Sequence, residues 1–295
     1  MKILITIQVF ANYTGSEVST LELAKQLVKQ GNEVVIVAAV VGNPMFEKAI
    51  DAGIDVYDIQ HLRGSYDIIH YQHKPITLEV LKLYGNTDAV MHVRSEVIPD
   101  YEAPVIHDSI KAYISIRDSI TDYIQSYGIS AEDIVHIDNP FDTDRFNSCY
   151  EFSGGTRERI LFVGTMDYLR KAMLFDAARL CRETQKDLWI VGEDSGGYLK
   201  ELEQKCILSY FGVRQDVESF YKIVDYTVGI NNGRTTTEGW LMDVPAWVYI
   251  VDNRGRIKSK KLVSPPIDLR KYSAEYSCLK VMALYNSIKA INDKS

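Results

Sequence analysis

The chain of 295 residues carries 33 Lys and Arg against 40 Asp and Glu, a formal net charge of −7. That balance argues against a dedicated nucleic-acid binder, which needs a basic face to neutralise phosphates, and leaves room only for a local basic patch. Hydrophobic residues at 46% and charged residues at 25% are ordinary globular values, and at ~150 residues per domain the length predicts two domains.

The cysteines, Cys149, Cys181, Cys206 and Cys278, form no CxxC pair and have no histidine at metal spacing. They read as reduced structural thiols of a cytoplasmic protein. The apolar start breaks at Gln8, too short for a signal peptide, and no run approaches the ~20 apolar residues of a membrane span. At most, peripheral membrane contact is expected.

Residues 2–9 predict a buried strand, followed by the polar loop Asn12-Tyr13-Thr14-Gly15-Ser16-Glu17. Apolar residues then recur at helical spacing through Leu21, Leu23, Ala24, Leu27 and Val28, Gly31-Asn32 stops the helix, and 34–41 is an apolar strand. This is a βαβ unit of a parallel sheet. The series continues with strands at 67–70, 89–93, 112–116 and 134–137, all continuous apolar runs as expected of strands buried on both faces. A boundary composition of Pro, Asp, Asn and Gly follows, from Asp138-Asn139-Pro140 to Ser153-Gly154-Gly155-Thr156, and divides the chain into domains 1–145 and 146–295.

The series then restarts with strands at 160–164, 188–192, 207–211, 223–229 and 246–251, and helices at 171–180 and 199–206. A closing helix at 276–291 stays with the second domain or packs back on the first. The predicted fold class is α/β, two Rossmann-like doubly wound domains facing across a cleft.

Ligands of open α/β sheets bind at strand carboxyl ends, and four loops fall there. Gly15-Ser16 lets a backbone approach phosphate or sugar, or is N-capped by Thr14 or Ser16. Gly164-Thr165 leads to Arg170 and Lys171, two cations at a helix start that oppose the dipole unless an anion sits there; a solvated basic pair is the alternative. Gly192-Glu193-Asp194-Ser195-Gly196-Gly197 is acidic. The fourth loop runs Ile230-Asn231-Asn232-Gly233-Arg234-Thr235-Thr236-Thr237-Glu238-Gly239-Trp240, between a strand and a short helix stopped by Pro245. Such a helix start binds anions, and Glu238 in its first turn suits ribose hydroxyls or simple capping. The basic run Arg254-Gly255-Arg256-Ile257-Lys258-Ser259-Lys260-Lys261 reads as a solvated loop, with contact to an anionic acceptor, a membrane surface or nucleic acid as the alternatives.

Gly15-Ser16-Glu17, Asp67-Ile68-Ile69-His70, and Ile137-Asp138-Asn139-Pro140-Phe141-Asp142-Thr143-Asp144-Arg145-Phe146 resemble the amino half of retaining, family-four-type (group 1) glycosyltransferases of GT-B fold. The segments Ile160-Leu161-Phe162-Val163-Gly164-Thr165, Arg170-Lys171, Gly212-Val213-Arg214-Gln215-Asp216 and Gly233-Arg234-Thr235-Thr236-Thr237-Glu238-Gly239 are similar to that family's nucleotide-binding half. The resemblance implies a metal-independent, hexosyltransferase-type enzyme. Its donor is a nucleotide sugar, a UDP-sugar first, and the acceptor is open among a saccharide, a lipid-linked sugar, a metabolite or a macromolecule.

It places Gly15 and Ser16 at the diphosphate and sugar, Lys171 and Arg170 on the diphosphate, and Arg214 along the base. Backbone N–H groups of Arg234 and Thr235 meet phosphate, Thr236 belongs to the same donor-binding segment, and Glu238 meets ribose. His70, His73, Arg94 and Ser95 are placed at strand ends facing acceptor or sugar hydroxyls, where a structural histidine is the alternative. No metal ligand and no cofactor beyond the donor is implied. Two positions depart from the family pattern: Thr165 stands where an arginine is usual, and Ile230 where a glutamate precedes Glu238 by eight residues. A sugar-nucleotide epimerase or hydrolase, or a non-catalytic nucleotide-sugar binder of the same fold, are the competing readings.

Overall fold

The structure is a computed structural model that describes residues 1–146 and 157–292; Cys149 and the Ser153 to Thr156 stretch lie outside the described residues. The chain forms two compact units, Met1–Phe141 with Arg270–Ser295, and Asp142–Leu269. Arg145 and Phe146 therefore belong to the second unit.

In the first unit β1 (Lys2–Phe10), α1 (Gly15–Lys29), β2 (Glu33–Val41), α2 (Met45–Asp51), β3 (Asp55–Asp58) and β4 (Ile68–Gln72) follow in order. They continue with α3 (Lys74–Tyr84), β5 (Ala89–Val93), α4 (Pro99–Glu102), β6 (Ile110–Ser115), α5 (Asp118–Gln125) and β7 (Ile134–His136). The described strands pair in the order β3-β2-β1-β4-β5-β6-β7, all parallel. Because successive side chains point to opposite faces, β1 feeds two cores. Ile3, Ile5 and Ile7 join Leu23, Ala24 and Leu27 of α1, whereas Leu4 joins Ile69, Tyr71, Ile76 and Val80.

The second unit holds β8 (Arg159–Val163), α6 (Tyr168–Thr184), β9 (Asp187–Val191), α7 (Leu199–Glu203), β10 (Leu208–Tyr210) and α8 (Val217–Tyr221). After them come β11 (Tyr226–Ile230), α9 (Arg234–Leu241), β12 (Ala246–Val251) and β13 (Ile257–Val263). Its described order is β10-β9-β8-β11-β12-β13, parallel except for the antiparallel pair β12–β13. The chain then returns to the first unit through α10 (Ala274–Asn292). Cys278, Val281, Tyr285 and Ile288 of α10 lie on one helical face and complete the α1-side core. Among the described residues no helix is long and apolar enough to cross a membrane.

One reading is corrected here. The basic run is not a solvated loop, because Ile257–Val263 forms the edge strand β13, hydrogen-bonded to β12 with Lys260 opposite Tyr249. The backbone ladder supplies what the side-chain pattern lacks, and exposed lysines suit an edge that must not pair with another sheet. In both sheets the strand order reverses once, between β1 and β4 and between β8 and β11. Crevices at such reversals bind ligands.

Candidate functional site

Three loops are laced together at the carboxyl edge of the second unit's sheet. Gly164, at φ +143°, donates its N–H to the Val191 carbonyl at 2.9 Å, and Gly192, at φ +141°, donates to the Gly212 carbonyl at 2.8 Å. The two glycines meet so closely that a Cβ on Gly192 would stand 1.9 Å from the Gly164 carbonyl oxygen. Thr165 follows, half-buried. The helix α6 then opens one turn before Lys171, with Asp167 as N-cap accepting from the Arg170 N–H at 3.1 Å.

Asp167 also pairs with the Arg170 guanidinium. The expected pair of uncompensated cations is thereby corrected, since an N-cap carboxylate neutralises Arg170 locally. Lys171 is exposed and makes no ion pair among the described residues; its ammonium stands 5.0 Å from the Tyr198 ring centroid. Arg214 forms a bidentate pair with Asp216, both contacts at 2.8 Å, and holds that carboxyl at about 2.

Beyond β11, Asn231 and Asn232 take left-handed conformations at φ +51° and +49°, which asparagine tolerates better than most residues. The Asn231 side-chain oxygen accepts the Val251 N–H at 3.0 Å and pins the turn. Gly233 is then extended and caps α9, whose first turn is Arg234, Thr235 and Thr236. A first turn presents backbone N–H groups outside the i to i−4 ladder, and here that of Thr236 is taken by the Gly233 carbonyl at 3.1 Å.

Glu238 is the fifth residue of α9, not part of its first turn, so its carboxylate is not a cap of this helix. It is 6% exposed. One oxygen accepts from Arg234 Nε at 2.9 Å and the other from the Tyr221 hydroxyl at 3.0 Å. Burial and the neighbouring carboxylate push the Tyr221 phenol well above its usual range. Sequence reading missed Tyr221 because α8, which carries it, is a five-residue helix without periodic signal.

In the first unit, Gly15 and Ser16 open α1 behind Thr14, which is the N-cap. Glu17 turns back and accepts the N–H groups of Ala11, Asn12 and Thr14 at 2.8, 2.9 and 3.1 Å, tying the loop to its own helix.

His70 corrects a placement: it is the middle residue of β4, fully buried, and does not stand at a strand end. Its Nδ1 meets the Tyr285 hydroxyl at 2.6 Å and its Nε2 meets His92 Nδ1 at 3.2 Å. Burial, helped by Arg94, lowers its pKa to about 3, so it is neutral. His73 does stand at a strand end, directly after β4 as the N-cap of α3. Its Nδ1 accepts the Gln8 N–H at 3.1 Å, which puts the proton on Nε2, 3.6 Å from Glu102.

Arg94 follows β5 and is 8% exposed. Its Nε donates to Gln72 Oε1 at 2.8 Å and its Nη1 to Asn139 Oδ1 at 2.9 Å, joining three segments. Ser95 accepts the Val97 N–H at 3.1 Å. Burial raises Glu102 to about 7 against the lowering effect of Arg94. Gln72, Glu102 and Asn139 had no local sequence signal, whereas Asp167 was legible as an N-cap three residues before Arg170.

No protein-family model and no curated protein sequence matches the chain. Solved structures do. A glycosyltransferase from Rickettsia africae superposes with a TM-score of 0.70 at 14% identity, covering 97% of this chain and 98% of that one. Alr3699/HepE from Anabaena, solved in complex with UDP, gives 0.65 at 14% identity with 100% of both chains covered. AviGT4, a glycosyltransferase of avilamycin A biosynthesis, gives 0.62 at 12% identity with 96% and 97% covered. With two parallel-rich α/β sheets and nearly the whole length of each chain matched, the fold of this chain is that of the GT-B glycosyltransferases.

Proposed function

We propose that this protein transfers a sugar from a nucleoside diphosphate sugar, a UDP-sugar in the first instance, to an acceptor hydroxyl with retention at the anomeric carbon. The observation that carries the reading is Glu238, a buried carboxylate held at both oxygens and one turn away from a helix start. The structures of HepE with UDP and with UDP-glucose support the nucleotide class. In this reading Glu238 receives the ribose hydroxyls, Arg234 and Thr235 in the first turn offer N–H groups to phosphate, and Arg214 lies along the base.

When the bond from the anomeric carbon to the diphosphate breaks, negative charge grows on the leaving group. Lys171, with Arg170 beside it, and the oriented N–H groups stabilise that charge, the largest kind of contribution such a site offers. Gly15 and Ser16 face the diphosphate and the transferred sugar, His73, Arg94 and Ser95 serve acceptor or sugar hydroxyls, and His70 is assigned to the core. The reading carries no metal requirement and a cytoplasmic location, in keeping with Cys181, Cys206 and Cys278 as free thiols.

Calorimetric titration with UDP, GDP and ADP in the presence of a chelator tests it. Micromolar binding of one nucleotide is expected, weakened about 10- to 100-fold in Lys171→Ala and Glu238→Ala, the loss of a charge-assisted contact. Wild-type affinity in both variants rules the reading out. A second reading, nucleotide-sugar binding without turnover, is favoured by Ile230, an apolar side chain closing β11 where it offers a donor sugar no hydrogen bond. Tight UDP-sugar binding with no product across an acceptor panel decides for it.

A further inference from the structure

We infer that Tyr221 is a positioning residue that makes Glu238 selective for a ribose diol over a 2′-deoxyribose. The inference rests on the nucleotide reading of Glu238. An ionised carboxylate has two acceptor directions on each oxygen. In α9 one direction on each oxygen is used, Oε1 by Arg234 Nε at 2.9 Å and Oε2 by the Tyr221 hydroxyl at 3.0 Å. One acceptor site remains on each oxygen, and a vicinal diol offers two O–H donors at matching spacing.

The two donors come from different elements, which is what fixes the carboxylate plane. Arg234 sits one turn back on the same helix and by itself leaves the terminal torsion of Glu238 broad. Tyr221 ends α8, and its ring is immobilised in the apolar cluster of Phe146, Val217, Phe220, Val224, Met242 and Val244. The hydroxyl also lies 3.3 Å from the Thr235 carbonyl, but it has a single proton, and the shorter, charge-assisted bond to Glu238 takes it. Tyr221 is fully buried and its phenol stays protonated across the physiological range, so it is a permanent donor.

The test compares UDP with 2′-deoxy-UDP by calorimetry on the full chain. The wild type is expected to bind UDP about tenfold more tightly, the worth of one hydrogen bond to a charged group. Tyr221→Phe, which keeps the ring, is expected to reduce that ratio to about two by weakening UDP while leaving 2′-deoxy-UDP within about twofold. Because Tyr221 acts through Glu238, Tyr221→Phe with Glu238→Gln should show the same ratio as Glu238→Gln alone.

Equal weakening of both nucleotides by Tyr221→Phe, the signature of a purely structural tyrosine, overturns the inference while leaving the nucleotide reading intact. So does a double variant whose losses add. Glu238→Asp, which draws the carboxylate away from an unaltered Tyr221, serves as the second variant, and an unchanged ratio there also overturns it. A wild type that binds neither nucleotide removes the reading and the inference together.

Discussion

Gly192 shows how much one missing side chain decides in this protein. Its φ of +141° is foreign to L side chains, and the space a Cβ needs is already filled by the Gly164 carbonyl 1.9 Å away. Gly192→Ala is expected to destabilise the second unit by about 3 kcal/mol or more, through backbone strain and the forced separation of two loops. Urea denaturation followed by tryptophan fluorescence measures it, and a change within 1 kcal/mol contradicts the packing described. The glycines were visible in the sequence as loop residues at strand ends. Their mutual contact was not, because it is a tertiary approach between residues 28 positions apart, 164 and 192. The same limit hid the partners of Glu238: Tyr221 reaches it from another helix.

At the scale of elements, α9 lies on β11 through two close contacts. A Cβ on Gly239 would meet Thr227 Cγ2 at 2.9 Å, and one on Gly229 would meet Thr236 Oγ1 at the same distance. A glycine inside a helix costs ~1 kcal/mol relative to alanine, so its presence at 239 marks the need for close approach. Gly239→Val is expected to push α9 off the strand, cost about 2–3 kcal/mol and weaken nucleotide binding about tenfold by displacing Glu238. Thermal melting and titration of the same variant read both effects.

β1, β2 and the halves of each sheet were legible because strands buried on both faces are continuous apolar runs. The four-residue β3 and the lysine-rich β13 were not, since these two edge strands bury few side chains and carry no apolar run. Glu238 was misplaced by a turn because Asn231 and Asn232 absorb the left-handed conformations before Gly233, so that α9 starts at Arg234.

At the scale of the molecule, the histidines and tryptophans are segregated. All six histidines lie in the first unit and all three tryptophans in the second. Burial, with Arg94 adding, holds His70 and His73 at about 3 and His92 well below its usual 6.5. These histidines are neutral in the fold, whereas the unfolded chain takes up protons below 6.5. Their contribution is therefore complete above that pH and is lost as pH falls toward 3.

Glu102 acts in the opposite sense. Raised to about 7 from 4.5, it contributes most below 4.5 and loses that contribution as pH rises through 7. Three groups outweigh one, so acidification from about pH 7 to 4 should lower the melting of the first unit by about 5 °C more than that of the second. Circular dichroism reports both units and tryptophan fluorescence the second alone. Transitions that fall together by both probes contradict the assignment.

The sequence by itself determined the α/β class, the two-fold repetition of the βαβ series and the loops that fall at strand ends. Those features follow from short-range periodicity and from glycine and proline positions, which act within a few residues of chain. Only the tertiary structure decided what each charged or polar group does. Asp167 neutralises Arg170 and leaves Lys171 as the accessible cation, Arg94 is committed to Gln72 and Asn139, and His70 is bound to Tyr285 of the returning helix α10. The reason is physical: a buried polar group must find its partner in space, and the fold brings that partner from a segment that can stand 215 residues away.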